Sequence, residues 1–222
     1  MEYSEGKAGS IAIDIEYQRR RYIYRITKRV FDFVASLMGL ILLSPVFLIV
    51  AVAIKIDDPT GTVFYSQIRL GRHQKPFRMY KFRSMIAGAD KLLENLLDEN
   101  EVDGAMFKIK KDPRITKVGR FIRKYSIDEL PQLLNVLLGQ MSLVGPRPPL
   151  PREVREYTDY DKQRLTVKPG CTGLWQVTER NSVGFSEMVQ LDLEYIVKRS
   201  ALFDLYVLLK TVMVFFRPNG AF

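Results

Sequence analysis

The chain has few of the residues on which disulfide, zinc and histidine chemistry depend. Its 222 residues include one cysteine, Cys171, and one histidine, His73. A single cysteine excludes a disulfide scaffold and a structural zinc site built from several thiolates. A single histidine excludes metal sites with several imidazole ligands. Cys171 and His73 could pair as nucleophile and base, but a buried thiol and a loop imidazole are favoured.

The overall composition is that of a basic globular chain. Hydrophobic residues make up 47% and charged residues 27%, and 34 Lys and Arg against 25 Asp and Glu give a net charge of +9. A chain of this length can form one domain with a substantial core, and the composition excludes collagen-like and disordered classes. It contains no zinc-finger, helix-turn-helix or RNA-binding aromatic signature, so nucleic acid is not an expected partner.

One long apolar run interrupts this average composition. Residues 33–54 contain no charged side chain. About 20 apolar residues in a helix can cross a bilayer core, and the run is too long and too far into the chain for a secretory signal peptide. Ser44 and Pro45 lie near its centre, where a proline kinks or breaks a helix. Three interpretations remain: a re-entrant helix pair, a single kinked span and a buried core helix.

Basic residues flank this run on both sides. Residues 19–21 are three consecutive arginines, and Lys55, Arg69 and Arg72 follow the run. Positive charge marks the cytoplasmic side of a membrane segment, so a single span would violate this rule at one end. A re-entrant pair with both ends in the cytoplasm satisfies it and is favoured. A second apolar stretch, residues 201–216, contains Asp204 and Lys210 and is better explained as a core or interfacial helix.

The remaining patterns predict an α/β chain, mostly α with a small β-hairpin, in a monotopic membrane protein. We expect a flexible N-terminus over 1–18, a basic collar and re-entrant membrane helix over 19–56, and a cytosolic catalytic domain with interfacial helices over 57–222. Alternation and aromatic content predict a hairpin over 62–85, whereas prolines and glycines predict irregular backbone over 142–151. Helices are expected at 88–103, 119–125, 130–140, 152–165, 185–198 and 201–216, with a glycine-punctuated loop or short strand at 168–177.

The adjacent carboxylates Asp128 and Glu129 are the sharpest candidates for chemistry. They lie where a helix is predicted to begin, and free backbone N–H groups stabilise an anion there. Ser126 and Glu129 also match a capping box, which is a purely structural alternative. Many arginines surround the pair, and such a set suits a magnesium–phosphate site, because carboxylates hold the metal and arginines clamp phosphate oxygens. Phosphoryl transfer can use an aspartate as its covalent nucleophile.

Three motifs in order carry a family resemblance. They are KFRSM at 81–85, DPRITKVGRFIRKYSIDELPQLLNVLLGQMSLVGPRP at 112–148 and KPGCTGLWQV at 168–177. Over about residues 25–216 the chain resembles the bacterial sugar transferases, the monotopic polyprenyl-phosphate phosphoglycosyl transferase superfamily, at the length of its minimal catalytic unit. The resemblance implies transfer of a hexose 1-phosphate from a UDP-sugar to undecaprenyl phosphate, with release of UMP, at the cytoplasmic face of the bacterial inner membrane. This is the first membrane step of O-antigen, exopolysaccharide or capsule assembly.

The resemblance also implies roles for individual residues. Asp128 matches the nucleophile that forms a covalent aspartyl–phosphosugar intermediate, and Glu129 matches the residue associated with the required Mg²⁺. Ser44 and Pro45 match the break in the family's re-entrant helix. Asp192 and Asp204 occupy two late positions where the family places an aspartate. The residues expected to bind substrate or phosphate are Arg123, Arg147, Arg83, Arg114, Pro146 and Pro148.

The chain departs from the family pattern at two places. Gln140 replaces an aspartate of many relatives, and residues 178–180 replace Asn-Gly-Arg, a change that bears on sugar choice. The Gly-Leu-Trp-Gln sequence at 173–176 is similar to that of members transferring glucose or galactose phosphate.

The expected partners are a UDP-sugar, undecaprenyl phosphate and membrane lipids, with a homodimer left open. The rival hypothesis is a membrane-anchored basic scaffold that binds anionic lipid or nucleic acid.

Overall fold

A computed structural model describes residues 13, 14, 16, 20–92, 112–178 and 184–216. Most of these residues are helical, and four short strands form two separate two-stranded sheets. The predicted α/β chain, mostly α with a small β part, is confirmed. Most of the expected flexible N-terminus over 1–18 lies outside the described residues.

The first two helices form a bent pair. Helix α1 covers Tyr22–Leu42 and helix α2 covers Ser44–Asp57, with a bend of 58° between them. The bend falls at Ser44 and Pro45 because proline, which lacks an N–H, is tolerated in the first turn of a helix but not in its interior. Ser44 donates its hydroxyl hydrogen to the Ile41 carbonyl at 2.7 Å. Within the described ranges, length and composition allow this pair together to cross a membrane, and no helix by itself.

One side of the bent pair packs on the rest of the molecule and the other remains exposed. Val50 and Ile54 of α2 are buried together with Phe82 and Ile122. On the other side, large apolar residues such as Ile23 and Ile56 are 78% and 79% exposed. The pair therefore presents apolar surface that the described part of the chain leaves uncovered.

An antiparallel hairpin follows the bent pair. Strand β1, Phe64–Leu70, pairs with strand β2, Pro76–Phe82, from Phe64 opposite Phe82 to Leu70 opposite Pro76. The hairpin predicted over 62–85 is thus confirmed, and its paired strands cover residues 64–70 and 76–82 of that range. Asn135 holds β2, because its side chain accepts from the Tyr80 amide and donates to the Arg78 carbonyl.

The second sheet corrects the expectation of irregular backbone over 142–151. Strand β3, Ser142–Val144, pairs in parallel with strand β4, Gly170–Thr172. Glycines permit this approach, because a Cβ on Gly170 would lie 2.1 Å from the Gly145 nitrogen. The expectation therefore fails for residues 142–144 and for Pro151, which begins a helix, whereas residues 145–150 form neither helix nor strand.

The remaining helices differ from the expected ones mainly in length, except that Leu174–Thr178 is helical where a loop or short strand was expected over 168–177. The segment expected as one helix over 152–165 is divided, because the Thr158 hydroxyl accepts from the Asp161 amide and so begins a new helix. Of the helix expected over 88–103, the structure gives a 3₁₀ turn at Ala89–Leu92, and residues 93–103 lie outside the described ranges. The α-helices that follow the hairpin are α3 (Lys117–Lys124), α4 (Gln132–Leu137), α5 (Pro151–Arg155), α6 (Asp159–Lys162), α7 (Leu174–Thr178), α8 (Phe185–Lys198) and α9 (Ala201–Phe216).

Candidate active site

Asp128 and Glu129 lie in a single 3₁₀ turn, Ile127–Glu129, between α3 and α4. Ser126, just before the turn, has a left-handed φ of 51° and makes no helix-capping hydrogen bond. The capping-box alternative is therefore wrong, and so is the expected helix start, because α4 begins at Gln132. A left-handed conformation costs a non-glycine residue about 1 kcal/mol and is enriched at functional sites.

The turn opens into a cleft of about 260 Å³ that gathers opposite charges from distant parts of the sequence. Asp128 and Glu129 supply the carboxylates. The hairpin, helix α3 and the loop after β3 supply four cationic side chains, namely Arg69, Lys81, Arg123 and Arg147. The side chains that line the cleft therefore carry a net charge of +2, which favours an anionic ligand.

Asp128 is buried, with 6% of its surface exposed. Burial raises the pKa of its carboxyl to about 6, with Glu129 adding to the increase and with Lys81 and Arg123 opposing it. The side chain is thus predominantly ionised at neutral pH, yet it is poorly solvated. A desolvated carboxylate fixed next to cations is suited to act as a nucleophile towards a phosphate.

Lys81 joins the two carboxylates. Its ammonium nitrogen lies 2.6 Å from Glu129 Oε1 and 3.9 Å from Asp128 Oδ2. Lys81 belongs to β2, so the hairpin fixes the position of this charge relative to the 3₁₀ turn. Lys81 lies in the KFRSM motif, but its place between the carboxylates could not be predicted without the fold.

Two further arginines, Arg69 and Arg147, line the cleft. Arg69 is buried and donates to the Pro148 carbonyl at 3.1 Å, while its Nε has no hydrogen-bond partner. Burial, with the positive charge of Arg147, lowers the pKa of Arg69 to about 10. Arg147 is held at 3.4 Å from Glu153, a buried carboxylate that also accepts from the Leu150 amide. These contacts fix both guanidinium groups before any ligand binds.

The structure brings some of the predicted site residues together and leaves others elsewhere. Asp128, Glu129, Arg123, Arg147 and Pro148 line the cleft. Pro146 does not line it, and its carbonyl instead accepts from the Gly170 amide at 2.9 Å.

Arg83 and Arg114 are also placed outside the cleft, which corrects their expected location. Arg83 pairs with Asp58 at 3.0 Å, and Arg114 pairs with Asp112 at 2.6 Å. Both arginines are buried and satisfied by internal carboxylates, so the arrangement gives them a structural role.

Asp192 and Asp204 are buried in separate polar contacts. Asp192 accepts from Arg164, which is itself buried. Asp204 accepts from the hydroxyls of Tyr24 and Tyr195 and from Lys28 at 2.7–2.9 Å. Neither aspartate lines the cleft.

Sequence reasoning missed several residues that line the cleft, including Arg69, Gln132 and Gln176. Helix α7 contributes Trp175 and Gln176, and the indole nitrogen of the first and the amide oxygen of the second are buried without a hydrogen-bond partner. Cys171 also lines the cleft, and burial raises the pKa of its thiol far above the usual range. His73 lies at the hairpin tip and lines a different cavity, so the two do not form a nucleophile–base pair.

The carboxylates fit the way in which proteins bind Mg²⁺ beside a phosphate substrate. Among the described residues there is no group of three or more His, Cys, Asp or Glu side chains that could hold a metal ion by itself. Magnesium, however, commonly uses one or two protein carboxylates together with substrate phosphates and water. The Glu129 side chain is 35% exposed in the cleft, beside Asp128, and it meets that requirement.

Comparison with known proteins shows the family to which the chain belongs. A family model described as bacterial sugar transferase matches residues 23–218. The chain belongs to the bacterial sugar transferase family. It is similar to the galactosyl transferase CpsE of Streptococcus agalactiae, with 45% identity over 202 residues that cover 90% of this chain and 44% of that protein.

Two further relatives differ in how much of their length is matched. The undecaprenyl-phosphate galactose phosphotransferase of Salmonella typhimurium is 46% identical over 89% of this chain and 42% of its own length. The exopolysaccharide production protein ExoY of Rhizobium meliloti is 39% identical over 91% of both chains. The sugar transferase chain therefore spans less than half the length of CpsE and the Salmonella protein, but nearly all of ExoY.

Proposed function

We propose that the chain is a phosphoglycosyl transferase. It moves a hexose 1-phosphate from a UDP-sugar to undecaprenyl phosphate and releases UMP, in exopolysaccharide, O-antigen or capsule synthesis. The observation that carries this proposal is the cleft itself, in which a buried Asp128 and its neighbour Glu129 face four cationic side chains. The name of the Salmonella relative, an undecaprenyl-phosphate galactose phosphotransferase, supports the same chemistry.

The proposed reaction has two phosphoryl-transfer steps on Asp128. In the first, a carboxylate oxygen of Asp128 attacks the sugar-linked phosphorus, the bond from that phosphorus to the UMP oxygen breaks, and UMP leaves with the electron pair. In the second, a phosphate oxygen of undecaprenyl phosphate attacks the same phosphorus and the aspartyl–phosphorus bond breaks. Neither step requires removal of a proton from the nucleophile, so a site without histidine is sufficient.

The cationic residues would stabilise the charge that develops during both steps. Arg123 and Lys81 lie on the side of Asp128 and favour its ionised form. Arg69 and Arg147 also line the cleft, and a diphosphate there could accept several charge-assisted hydrogen bonds from them. Because Lys81, Arg69 and Arg147 are already held by protein contacts, little reorganisation of these three is needed when the substrate binds.

Magnesium is the cofactor that we propose for this site, with Glu129 as the residue that would hold it. The bound ion would neutralise phosphate oxygens and so reduce their repulsion towards the incoming carboxylate. Lys81, which contacts Glu129 at 2.6 Å, orients that carboxylate.

Trp175 and Gln176 are the residues that we propose for donor recognition. Their buried unpaired atoms offer one N–H donor and one carbonyl acceptor at the cleft wall. A polar group left unpaired in a protein interior costs free energy, which a substrate hydroxyl or base edge could recover on binding. Galactose and glucose are the expected sugars because the Salmonella relative is named a galactose phosphotransferase and a relative from Escherichia coli, 39% identical over 90% of this chain, is named a glucose-1-phosphate transferase.

The membrane location is proposed from the apolar surface. The bent pair α1–α2 and helix α9 carry large exposed apolar side chains, among them Leu42, Leu48 and Leu202. Such surface is more extensive than monomeric soluble proteins normally expose. A re-entrant pair, with the catalytic cleft at the cytoplasmic face of the inner membrane, would cover it with lipid.

Release of UMP by the purified full chain tests the proposed function. The assay combines the protein in detergent with undecaprenyl phosphate, Mg²⁺ and a panel of UDP-sugars. We expect UMP from UDP-galactose or UDP-glucose, abolished by a chelator and reduced about 10⁴-fold or more by Asp128→Asn.

Asp159→Asn is the matched control, because the Asp159 side chain is 99% exposed and lies outside the cleft. It should retain the wild-type rate. If no UDP-sugar yielded UMP while the protein still bound anionic vesicles, the rival scaffold function would be supported instead.

A further inference from the structure

A second cavity, of about 710 Å³, lies beside the beginning of α1. Residues of α1, the hairpin tip, strand β3 and the segment before β4 line it, and it shares no lining residue with the catalytic cleft among the described residues. Nothing in the proposed transfer reaction requires this cavity.

Positive charge dominates the polar part of the cavity. One carboxylate, Asp32, lines it and accepts from the Leu143 amide at 3.1 Å. Lys28 is neutralised by Asp204 at 2.9 Å, and Arg29 donates to the carbonyls of Val136 and Leu137. The cationic side chains that line the cavity are Arg25, Lys28, Arg29, Arg72, Lys168 and Arg199.

Two of these cationic side chains have no hydrogen-bond or ion-pair partner in the described part of the chain. The side chains of Arg25 and Lys168 make no hydrogen bond or ion pair there. Burial, followed by repulsion from Arg29, Arg72 and Arg25, lowers the pKa of Lys168, which Asp32 only partly offsets. An anion in the cavity would relieve this repulsion.

Two further features point to a ligand. The Ser142 hydroxyl is buried at the cavity wall without a hydrogen-bond partner. The hairpin tip that brings Arg72 and His73 to the cavity has left-handed φ angles of 55° at His73 and 59° at Gln74. Two consecutive non-glycine residues in this conformation are strained, and strain of this kind is enriched at ligand sites.

Much of the rest of the cavity wall is apolar. Tyr22, Ile26 and Val30 of α1 line it together with Val144 and Val167. A small inorganic anion would leave this surface uncovered, whereas a phosphate attached to an apolar body would contact both the cations and the apolar wall.

We propose that this cavity is a second binding site, for a phosphate ester that carries an apolar body, with Arg25, Lys168 and Ser142 as its phosphate ligands. A membrane phospholipid headgroup and a soluble phosphate ester share the recognised chemistry. The strand pair β3–β4 lies between the two sites, because Ser142 lines this cavity while Gly170, its partner in the sheet, lines the catalytic cleft. The inference does not depend on the transfer reaction.

Binding measurements on the full chain in neutral detergent test the proposal. The three probes are dioctanoyl phosphatidic acid, glycerol 3-phosphate and, as a probe without net charge, dioctanoyl phosphatidylcholine. The variant R25Q/K168M removes the two unpaired cations. The control R20Q/K162M removes the same total charge from Arg20, whose side chain is 82% exposed, and Lys162, which both lie outside the cavity.

We expect saturable binding of phosphatidic acid that R25Q/K168M weakens about tenfold or more and R20Q/K162M leaves within about twofold. Equal binding of glycerol 3-phosphate would identify a soluble ester as the source, and binding of phosphatidic acid alone would identify a lipid. Without ligand, R25Q/K168M should unfold at the wild-type temperature or higher, because repulsion has been removed.

Two results would overturn the proposal. One is wild-type affinity of R25Q/K168M for both phosphate esters. The other is equal weakening of binding by both double variants, since that would show that the ligand is attracted by the overall charge of the protein and does not bind at this cavity.

Discussion

At the scale of single residues, Asp128 determines the properties of the catalytic cleft. Its burial opposes ionisation, while Lys81 and Arg123 favour it, and the balance raises the pKa to about 6. The fold therefore holds a partly desolvated carboxylate where a phosphate is expected to bind. Two measurable consequences follow, one for activity and one for stability.

The pH dependence of catalysis is the first consequence. Only ionised Asp128 can attack phosphorus, so kcat/KM should be constant above about pH 6 and fall about tenfold per pH unit below it. Lys81→Met removes the largest cationic contribution and should move the break to higher pH. A profile that stays flat well below pH 6 would show that Asp128 is not the group whose ionisation limits the reaction.

The stability of Asp128→Asn is the second consequence. The folded-state pKa of Asp128 is raised from 3.8 to about 6, so the protein loses stability as the pH rises from about 4 to about 6, and the full loss is present above pH 6. The variant should therefore unfold at a higher temperature than the wild type near pH 8, and this gain should disappear as the pH falls through 6 towards 4. An Asp128→Asn protein less stable than the wild type near pH 8 would contradict the raised pKa.

At the scale of secondary-structure elements, the sequence predicted those features that depend only on residues adjacent in the chain. Pro45 fixed the bend between α1 and α2, and alternation over 62–85 predicted the hairpin. The β3–β4 pair could not be predicted, because it depends on contact between Gly145 and Gly170, which are separated by 24 residues of intervening sequence. The position of Lys81 between the carboxylates likewise depends on how the hairpin packs, so this part of the site was missed.

A buried polar network also connects elements that are distant in the sequence. Asp204 of α9 accepts hydrogen bonds from Tyr24 and Lys28 of α1 and from Tyr195 of α8. The Tyr195 hydroxyl additionally contacts the Val144 carbonyl at 3.0 Å, next to the loop that carries Arg147. The network thereby attaches the bent pair to the catalytic part of the molecule.

Asp204→Asn should destabilise the protein because it leaves the Lys28 ammonium without its carboxylate. Breaking a buried ion pair costs about 3 kcal/mol, and for a chain of this size that lowers the unfolding temperature by roughly 6–12 °C. Thermal unfolding in detergent measures the change. Asp159→Asn, at an exposed position, should shift the temperature by less than about 2 °C, and an equally small shift for Asp204→Asn would contradict the importance of the network.

At the scale of the whole molecule, the apolar surface and the basic collar together determine the proposed orientation in the membrane. A re-entrant α1–α2 pair places both chain termini on one side, whereas a single span places them on opposite sides. Cysteine labels introduced at Ser4 and Asn219, in a Cys171→Ala background, should react with an impermeant reagent only after the cells are opened. Labelling of one terminus in intact cells would contradict the re-entrant arrangement.

The central claim is that Asp128 becomes covalently attached to the phosphosugar, and mass spectrometry of the protein tests it most directly. The full chain is incubated with Mg²⁺ and the UDP-sugar that supports turnover, without undecaprenyl phosphate, and then quenched and digested. We predict one hexose phosphate on the peptide that contains Asp128, one UMP released for each modified chain, and loss of the modification when undecaprenyl phosphate is added. UMP release that occurs only with undecaprenyl phosphate present, with Asp128 unmodified throughout, would contradict the account.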